Sequence, residues 1–305
     1  MSFSRSVKQE LSRIRLRTAG ARRAQLFGLT HAAGALRLGR TFGVEYVTET
    51  YEVARQIAAL ATSLYDVTAE LSLRETERRL TLTVVSLTGG DCERLLTDAG
   101  LFARTEQGPE LTQNIPDAAL KSEDAQRAFL RGAFMGAGSC TDPKRAYHLE
   151  IVCRGEGFAS ALCGMLLTLS LEAKTVRRKE KTVVYLKEGD RIAAFLTLIG
   201  ASAATLAFED ARAEKELRNY INRTSNCETA NIGKTVNAAG EQLEAIEAIL
   251  KHRNIRLTPT LRQAAELRLN HPDASLQELA ELAGIGKSGM NHRLERLKRI
   301  ARELS

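Results

Sequence analysis

The residues best suited to chemistry lie near the C-terminus, where helical periodicity predicts one helix over 287–302. Its apolar residues Met290, Leu294, Leu297 and Ala301 share one side. Of the other positions up to 299, eight carry hydrogen-bonding or positively charged side chains, and one, Glu295, is acidic. The eight are Lys287, Ser288, Asn291, His292, Arg293, Arg296, Lys298 and Arg299. Arginine pairs with guanine, asparagine with adenine, and lysine and serine with phosphate or base. We therefore expect these eight side chains to contact double-stranded DNA.

The segment before this helix predicts the other parts of a helix-turn-helix. Thr258–Pro259 indicates the start of a first helix, because proline is favoured at the first helical position. Ser275 and Glu278 form a capping box that opens a second helix. Ala280 is small where two helices approach, and Gly284 can adopt the positive φ of the turn. We expect the first helix to bury Leu261, Ala264, Ala265 and Leu269.

The charge of the chain is concentrated in the same region. The 305 residues have a net charge of +7. Residues 251–305 contain eleven Lys or Arg and six Asp or Glu, a net charge of +5. A positive charge concentrated in a small module favours a polyanionic partner. Two alternatives remain at this point, a solvated helix surface and a module that binds an acidic protein.

The N-terminal part contains a duplication. The segments LFGLTHAAG (26–34) and LRGAFMGAG (130–138) have Leu and Gly at the same offsets, and each ends a predicted helix, 22–33 or 123–137. Gly28, Gly34, Gly132 and Gly138 are predicted to let these two motif helices pack closely. Chance similarity of two Ala/Gly-rich helices is the alternative.

The segments that follow the two motifs predict the same order of elements. After each come a strand, a helix, two strands and a helix, with a short extra strand directly after the glycine motif. The first copy predicts a strand at 43–50, a helix at 51–64, strands at 67–73 and 79–86, and a helix at 91–99. The second predicts a strand at 147–154, a helix at 157–169, strands at 174–178 and 182–186, and a helix at 191–199.

The two nine-residue motifs resemble the LAGLIDADG motif of homing endonucleases. The resemblance implies two pseudo-symmetric repeats with the motif helices at their interface, and an acidic residue before the final glycine that binds a catalytic divalent metal. Those positions are Ala33 and Ala137 here, and alanine offers no oxygen ligand. Asp142 follows the second motif, but the first copy has no matching acid. We therefore predict no catalytic residue, no metal site and no cofactor.

An asparagine-rich segment joins the repeats to the basic module. Asparagine and threonine favour turns and caps over helix interiors, so 218–240 is predicted to be a hinge before a helix that begins near Glu241. A second interpretation is a surface that also contacts nucleic acid, through Arg223 and Lys234. We expect four parts: repeats at 1–115 and 116–221, a linker and connecting helix at 222–250, and the helix-turn-helix domain at 251–305.

Together these features resemble the WhiA family of bacterial sporulation and cell-division transcription regulators. The similarity includes SFSRSVKQEL, FLRGAFMGAGS, NRTSNCETANIGKTVNAA and KSGMNHRLERL. It implies an α+β fold, a pseudo-symmetric duplicated LAGLIDADG-like domain followed by an all-α helix-turn-helix domain. It also implies a DNA-binding regulator that is not an enzyme, acting on division, chromosome segregation or sporulation genes. An active homing endonuclease and a scaffold that binds transcription machinery are the alternatives.

The location of the protein is predicted from its composition. No sequence window is apolar enough to span a membrane, and the five cysteines show no CxxC pair. We expect reduced thiols and a cytoplasmic, nucleoid-associated protein, with DNA as the main partner and transcription machinery as a further one.

Overall fold

The structure is a computed structural model that describes residues 2–37, 42–77, 79–106, 108–112, 114–115, 121–252 and 255–304. Internal contacts divide it into two units, Met1–Lys215 and Glu216–Ser305. The expected end of the first repeat adjoins residues 116–120, which lie outside the described residues. The expected boundary at 221/222 falls within a helix that contributes residues to both units, so no loop marks it. Within the described residues, no helix is long and apolar enough to cross a membrane.

The first unit begins with α1 (Phe3–Ser12) and the elements of the first repeat. These are α2 (Ala19–Ala33), β1 (Gly34–Arg37), β2 (Gly43–Thr48), α3 (Tyr51–Leu64), β3 (Thr68–Glu75), β4 (Thr81–Thr88) and α4 (Cys92–Asp98). A hairpin of β5 (Phe102–Thr105) and β6 (Gly108–Leu111) follows.

The second repeat has the same order of elements. It consists of α5 (Glu123–Ala137), β7 (Gly138–Cys140), β8 (Leu149–Cys153), α6 (Glu156–Thr168), β9 (Lys174–Arg178), β10 (Lys181–Leu186) and α7 (Gly189–Leu198). The predicted duplication is confirmed, including the short strand directly after each motif helix.

Each repeat forms a four-stranded antiparallel sheet with one face in the core. The strand orders are β1-β2-β4-β3 and β7-β8-β10-β9, which are equivalent in the two repeats. Tyr46 pairs with Val85, Ile151 pairs with Val184, and all four side chains are buried. Their neighbours along each strand, such as Glu150, point to the other face because side chains alternate. Each sheet therefore has an apolar inner face in the core, and an outer face that carries the charged side chains together with valines such as Val84 and Val183.

The motif helices α2 and α5 cross at very short distance because glycines lie at the crossing. A Cβ atom on Gly28 would overlap the backbone oxygen of Phe129, and one on Gly132 would overlap that of Gln25. The two contacts are equivalent, since positions 28 and 132 correspond, as do 25 and 129. The predicted packing role of Gly28 and Gly132 agrees with this geometry.

Gly34 and Gly138 have surroundings that differ from those expected. Each caps its motif helix and begins the next strand. A Cβ on Gly34 would lie 2.6 Å from the oxygen of Thr30, and one on Gly138 would lie 2.6 Å from that of Phe134. These oxygens belong to the same helix as the glycine, so the small size permits the direct passage from helix to strand. The sequence analysis did not assign a packing role to Gly136. A Cβ on this residue would lie 2.8 Å from a side chain of α2.

Buried polar side chains of the motif helices bind the last helix of each repeat. His31 Nε2 lies 2.6 Å from the carbonyl oxygen of Ala99, and Arg131 Nε donates to that of Ile199 at 2.6 Å. These carbonyls follow α4 and α7, where helix ends leave oxygens without intrahelical partners. The His31 ring stacks on Phe158 with centroids 5.1 Å apart. Burial lowers the pKa of His31 to about 4, so the ring is neutral at pH 7.

The described part of the second unit contains helices and no strand. It has the C-terminal part of α8 (Ser202–Lys251), followed by α9 (Pro259–Asn270), α10 (Leu276–Leu282) and α11 (Lys287–Arg302). Its core is formed by aliphatic side chains from all four helices, including Ile246, Ile249, Leu261, Ala264, Leu279, Met290, Leu294 and Leu297. The predicted fold class, a duplicated α+β domain followed by an all-α domain, is confirmed.

The asparagine-rich segment is helical, so the prediction of a hinge was wrong. Residues 219–237 contain five Asn, three Thr and one Ser, and each costs up to about 0.7 kcal/mol relative to alanine in a helix. The helix nevertheless continues, because both ends of α8 are packed. Phe208 is buried towards one end and Ile246 towards the other. Once both ends are helical, the middle adds backbone hydrogen bonds without a new nucleation step.

Because the two motif helices cross so closely at Gly28 and Gly132, a single added methyl group at this crossing should strongly reduce stability. Gly28→Ala should reduce the free energy of unfolding of the first unit by about 3 kcal/mol, because its Cβ meets backbone rather than a movable side chain. Gly164→Ala in α6 is the matched control, since nothing lies within 4 Å of its Cβ. It should be neutral or stabilise by up to about 1 kcal/mol. Urea unfolding of both variants measures this, and equal stability would contradict the close crossing.

The buried His31 predicts a specific dependence of stability on pH. Its folded pKa of about 4 lies below the unfolded value of 6.5. Between these values the unfolded chain binds a proton that the folded chain does not, so stability falls as the pH is lowered from 6.5 to 4. The loss attributable to His31 is about 3 kcal/mol. His31→Met, which copies Met135 of the second repeat, should remove this part of the pH dependence in urea unfolding. An unchanged pH profile would contradict it.

Candidate nucleic-acid interface

The turn between α10 and α11 has the geometry of a helix-turn-helix. The Ser275–Glu278 capping box is present at the start of α10. Ala280 is fully buried between the helices, and its carbonyl accepts a hydrogen bond from Ile285 N at 3.0 Å. Gly284 has a φ of 63°, which allows the chain to reverse between these two residues. The turn thus sets the direction in which α11 presents its side chains.

The exposed side of α11 brings together six of the eight side chains predicted to contact DNA. We call these six the recognition face: Lys287, Ser288, Asn291, His292, Arg296 and Arg299. Among the described residues, the ion pairs of α11 involve Lys298 and none of these cations. The recognition face therefore offers three unneutralised cations beside hydrogen-bonding groups.

Arg293 and Lys298, the other two predicted side chains, lie outside the recognition face. Arg293 is half-buried and donates from Nη1 to Gln263 Oε1 of α9 at 3.1 Å. The Lys298 side chain is only 14% exposed, and its Nζ lies 2.8 Å from Glu241 and 3.2 Å from Glu295. The hydrogen bond to Glu241 raises the pKa of Lys298. Arg293 thus positions α11 against α9, and the charge of Lys298 is balanced by two carboxylates.

A buried arginine that the sequence analysis missed connects several segments of the second unit through hydrogen bonds. Arg268 is 2% exposed, whereas Leu269, which was predicted to be buried, is 36% exposed. Arg268 Nε donates to Gln242 Oε1 of α8 at 3.0 Å, and Nη1 donates to Ala274 O at 2.7 Å. Position 268 is seven residues after the buried Leu261, so helical spacing could have placed it on the inner side. Arg268 links α8 and α9 to the segment that opens α10.

An arginine from outside the motif helices binds the end of α2, where the homing-endonuclease resemblance implies an acidic residue. Arg154 donates to the carbonyl oxygen of Gly34 and, at 3.2 Å, to that of Ala33. Ala137 occupies the corresponding position of α5, and Asp142 accepts a backbone hydrogen bond within its own loop at 3.0 Å. Among the described residues, no group of three or more His, Cys, Asp or Glu side chains could hold a metal ion.

The outer faces of the two sheets differ in charge. The outer face of the second sheet, which we call the basic sheet face, carries Lys174, Arg178 and Lys181, with Lys187 just beyond β10. Its acid, Glu150, accepts from Arg178 at 2.9 Å, and Lys187 Nζ lies 5.2 Å from the centroid of the Tyr185 ring. The outer face of the first sheet is balanced, since its charged residues among those described are Arg37, Glu45, Glu70 and Arg74.

Three family models match successive parts of the chain. They are the WhiA N-terminal LAGLIDADG-like domain at residues 19–102, the WhiA LAGLIDADG-like domain at 126–218 and the WhiA C-terminal HTH domain at 221–301. The boundary between the last two matches falls within α8.

Relatives match along the whole chain. A probable cell division protein WhiA of Clostridium acetobutylicum is 38% identical over 312 residues, which cover 100% of this chain and 98% of that protein. The protein of the same name from Alkaliphilus metalliredigens is 38% identical over 310 residues, covering 99% and 98%. The crystal structure of full-length DUF199/WhiA from T. maritima has the same fold, with a TM-score of 0.63, 23% identity and 99% coverage of both chains. The chain therefore belongs to the WhiA family.

Proposed function

We propose that this protein is a sequence-specific DNA-binding regulator of transcription whose LAGLIDADG-like domain does not cut DNA. The recognition face of α11 carries this proposal. It combines Lys287, Arg296 and Arg299 with hydrogen-bonding groups on a helix that follows the turn of a helix-turn-helix. Cations supply affinity for phosphate, and planar amide or guanidinium groups discriminate between base edges.

The N-terminal turns of α11 enter the major groove in this proposal. Asn291 and His292 lie one turn into the helix, where side chains of a recognition helix reach base edges. Arg296 and Arg299 follow one and two turns later and neutralise phosphates. Lys298 contributes little, because Glu241 and Glu295 already balance its charge.

The basic sheet face supplies a second contact with the DNA backbone. Its four cations lie on neighbouring strands or at a strand end, and only Glu150 opposes them among the described residues of that face. A single helix-turn-helix buries a small interface, so a second phosphate-binding surface in the same chain raises affinity through effective concentration. The balanced face of the first sheet lacks the charge for this role.

The ends of the motif helices support the proposal that the domain does not cut DNA. A phosphodiester is cut by metal ions that stabilise the attacking and leaving oxygens, and such ions need carboxylate ligands. Ala33 and Ala137 supply none. Arg154 adds a positive charge at the end of α2, which repels a divalent cation. This argument favours a binding domain over an active homing endonuclease.

The names of the relatives, probable cell division proteins, support a proposal about the biological setting. We propose that the target genes act in cell division, chromosome segregation or sporulation. The protein acts in the cytoplasm at the nucleoid, and transcription machinery is its second partner.

Two substitutions on the recognition face test the proposed contacts. Asn291→Ala should reduce discrimination between a bound genomic site and a scrambled site by about 1–3 kcal/mol, because the base contact is lost. Arg299→Ala should weaken binding to both DNAs and lower the slope of log affinity against log salt by about 1. Fluorescence anisotropy with full-length protein at several salt concentrations measures both.

Lys298→Ala/Glu295→Ala is the matched control, since it removes a cation of the same helix together with a carboxylate that balances it. It should leave discrimination and salt slope unchanged. A loss on Lys298→Ala/Glu295→Ala as large as that on Arg299→Ala, or full discrimination in Asn291→Ala, would contradict the proposed geometry.

A further inference from the structure

The asparagine-rich part of α8 is a helix without packing partners among the described residues. Every described side chain from 216 to 238 is exposed, and the inner positions of α8 in the second unit begin at Ala239. At 1.5 Å per residue, the helical segment 219–237 is about 28 Å long, and it lies outside the apolar core of the second unit. Such a helix offers its side chains to a partner on any side.

The side chains of this segment are sorted onto two sides of the helix. Positions spaced by three or four residues share a side. One side has four asparagines and two cations, and we call it the asparagine face: Asn219, Asn222, Arg223, Asn226, Lys234 and Asn237. The opposite side has Leu217, Ile221 and Thr224.

The amides of the asparagine face are available for hydrogen bonds. Elsewhere on the segment, Thr224 Oγ1 donates to Tyr220 O at 3.1 Å, and Asn231 Nδ2 lies 3.8 Å from Cys227 Sγ. Within the described residues, by contrast, the side chains of Asn219, Asn222 and Asn226 form no hydrogen bond. A row of free amides has the donor–acceptor pattern that pairs with adenine edges.

The charge of the segment agrees with an anionic partner. Arg223 and Lys234 lie among the asparagines, both are exposed, and neither forms an ion pair with another described residue. The length of the segment is close to one turn of duplex DNA, about 34 Å. A protein partner of comparable size would favour an apolar or aromatic surface. The six named side chains of the asparagine face are polar, and the exposed apolar side chains Tyr220, Ile221 and Val236 lie off that face.

We propose that residues 219–237 form a second DNA-reading helix, whose asparagine face contacts base edges and phosphates of a duplex beside the site read by α11. The inference rests on the proposed function, since it assumes that the protein binds DNA. It adds a specificity-determining surface to the recognition face. Sequence preference should then extend beyond the bases read by α11 and include adenines.

The test uses the full-length protein and genomic fragments recovered by binding to it. Asn222→Ala/Asn226→Ala removes two amides, and alanine favours the helix, so the fold is kept. Thr224→Ala, on the opposite side of the same helix, is the matched control. We expect the double variant to bind its fragments 10- to 100-fold more weakly and to lose preference at specific adenines in a repeated selection. Thr224→Ala should bind within two-fold of the wild type.

A recognition-face variant, Arg296→Ala, distinguishes failure of this inference from failure of the proposed function. Weaker binding by Arg296→Ala with unchanged binding by Asn222→Ala/Asn226→Ala would overturn the inference alone. No enrichment of any DNA by the wild-type protein would overturn both.

Backbone hydrogen exchange supplies an independent readout on the wild-type protein. We expect exchange at 219–237 to slow when the bound fragment is added. Slowing that increases with protein concentration in the absence of DNA would mark the segment as a contact between copies and overturn the inference. Slowing only on addition of RNA polymerase would assign it to a protein partner and overturn it equally.

Discussion

The contact between the backbones of α2 and α5 at Gly28 and Gly132 is the constraint on which the first unit depends. Because a Cβ at either position would overlap the opposite backbone, the separation of these helices is fixed to within a methyl group. Each motif helix continues directly into the first strand of its sheet. The crossing thus determines how both sheets are placed within the unit, and which outer faces they present.

The cations of the second unit fall into two groups: those that bind other groups of the protein, and those that are exposed and have no such partner among the described residues. Arg268 is buried and bound to oxygens of α8 and of the segment before α10, and Lys298 is held between two carboxylates. These cations organise the second unit. Arg296 and Arg299 have no such partner among the described residues and remain exposed. A count of positive charge from the sequence therefore includes cations that are already paired, and the three-dimensional pairing shows which of the described cations remain exposed and unpaired.

Much of the fold could be predicted from the sequence because the determining signals are local. Apolar spacing, the Ser275–Glu278 capping box and Gly284 place the helices of the second unit, and the repeated glycine motif indicates the duplication. The position of Lys298 could not be predicted, since Glu241 lies on another helix far along the chain. The helical state of 219–237 could not be predicted from the local helix propensities of its residues either, because it depends on packing at both ends of α8. The sequence spacing of Gly34 and Gly138 predicts a role in the helix crossing. Spacing alone does not distinguish a glycine that contacts the other helix from one that contacts its own helix.

The central claim is that a nuclease-like scaffold and a helix-turn-helix bind specific DNA without cutting it. The most direct measurement mixes purified full-length protein with sheared genomic DNA and Mg²⁺ at near-physiological salt, recovers the bound fraction and sequences both pools. The account predicts intact fragments that share a motif near the starts of genes. New ends at a defined sequence would contradict it, because the alanines at positions 33 and 137 would then be compensated elsewhere and the protein would be an enzyme. No enrichment would contradict the assignment of DNA as the partner.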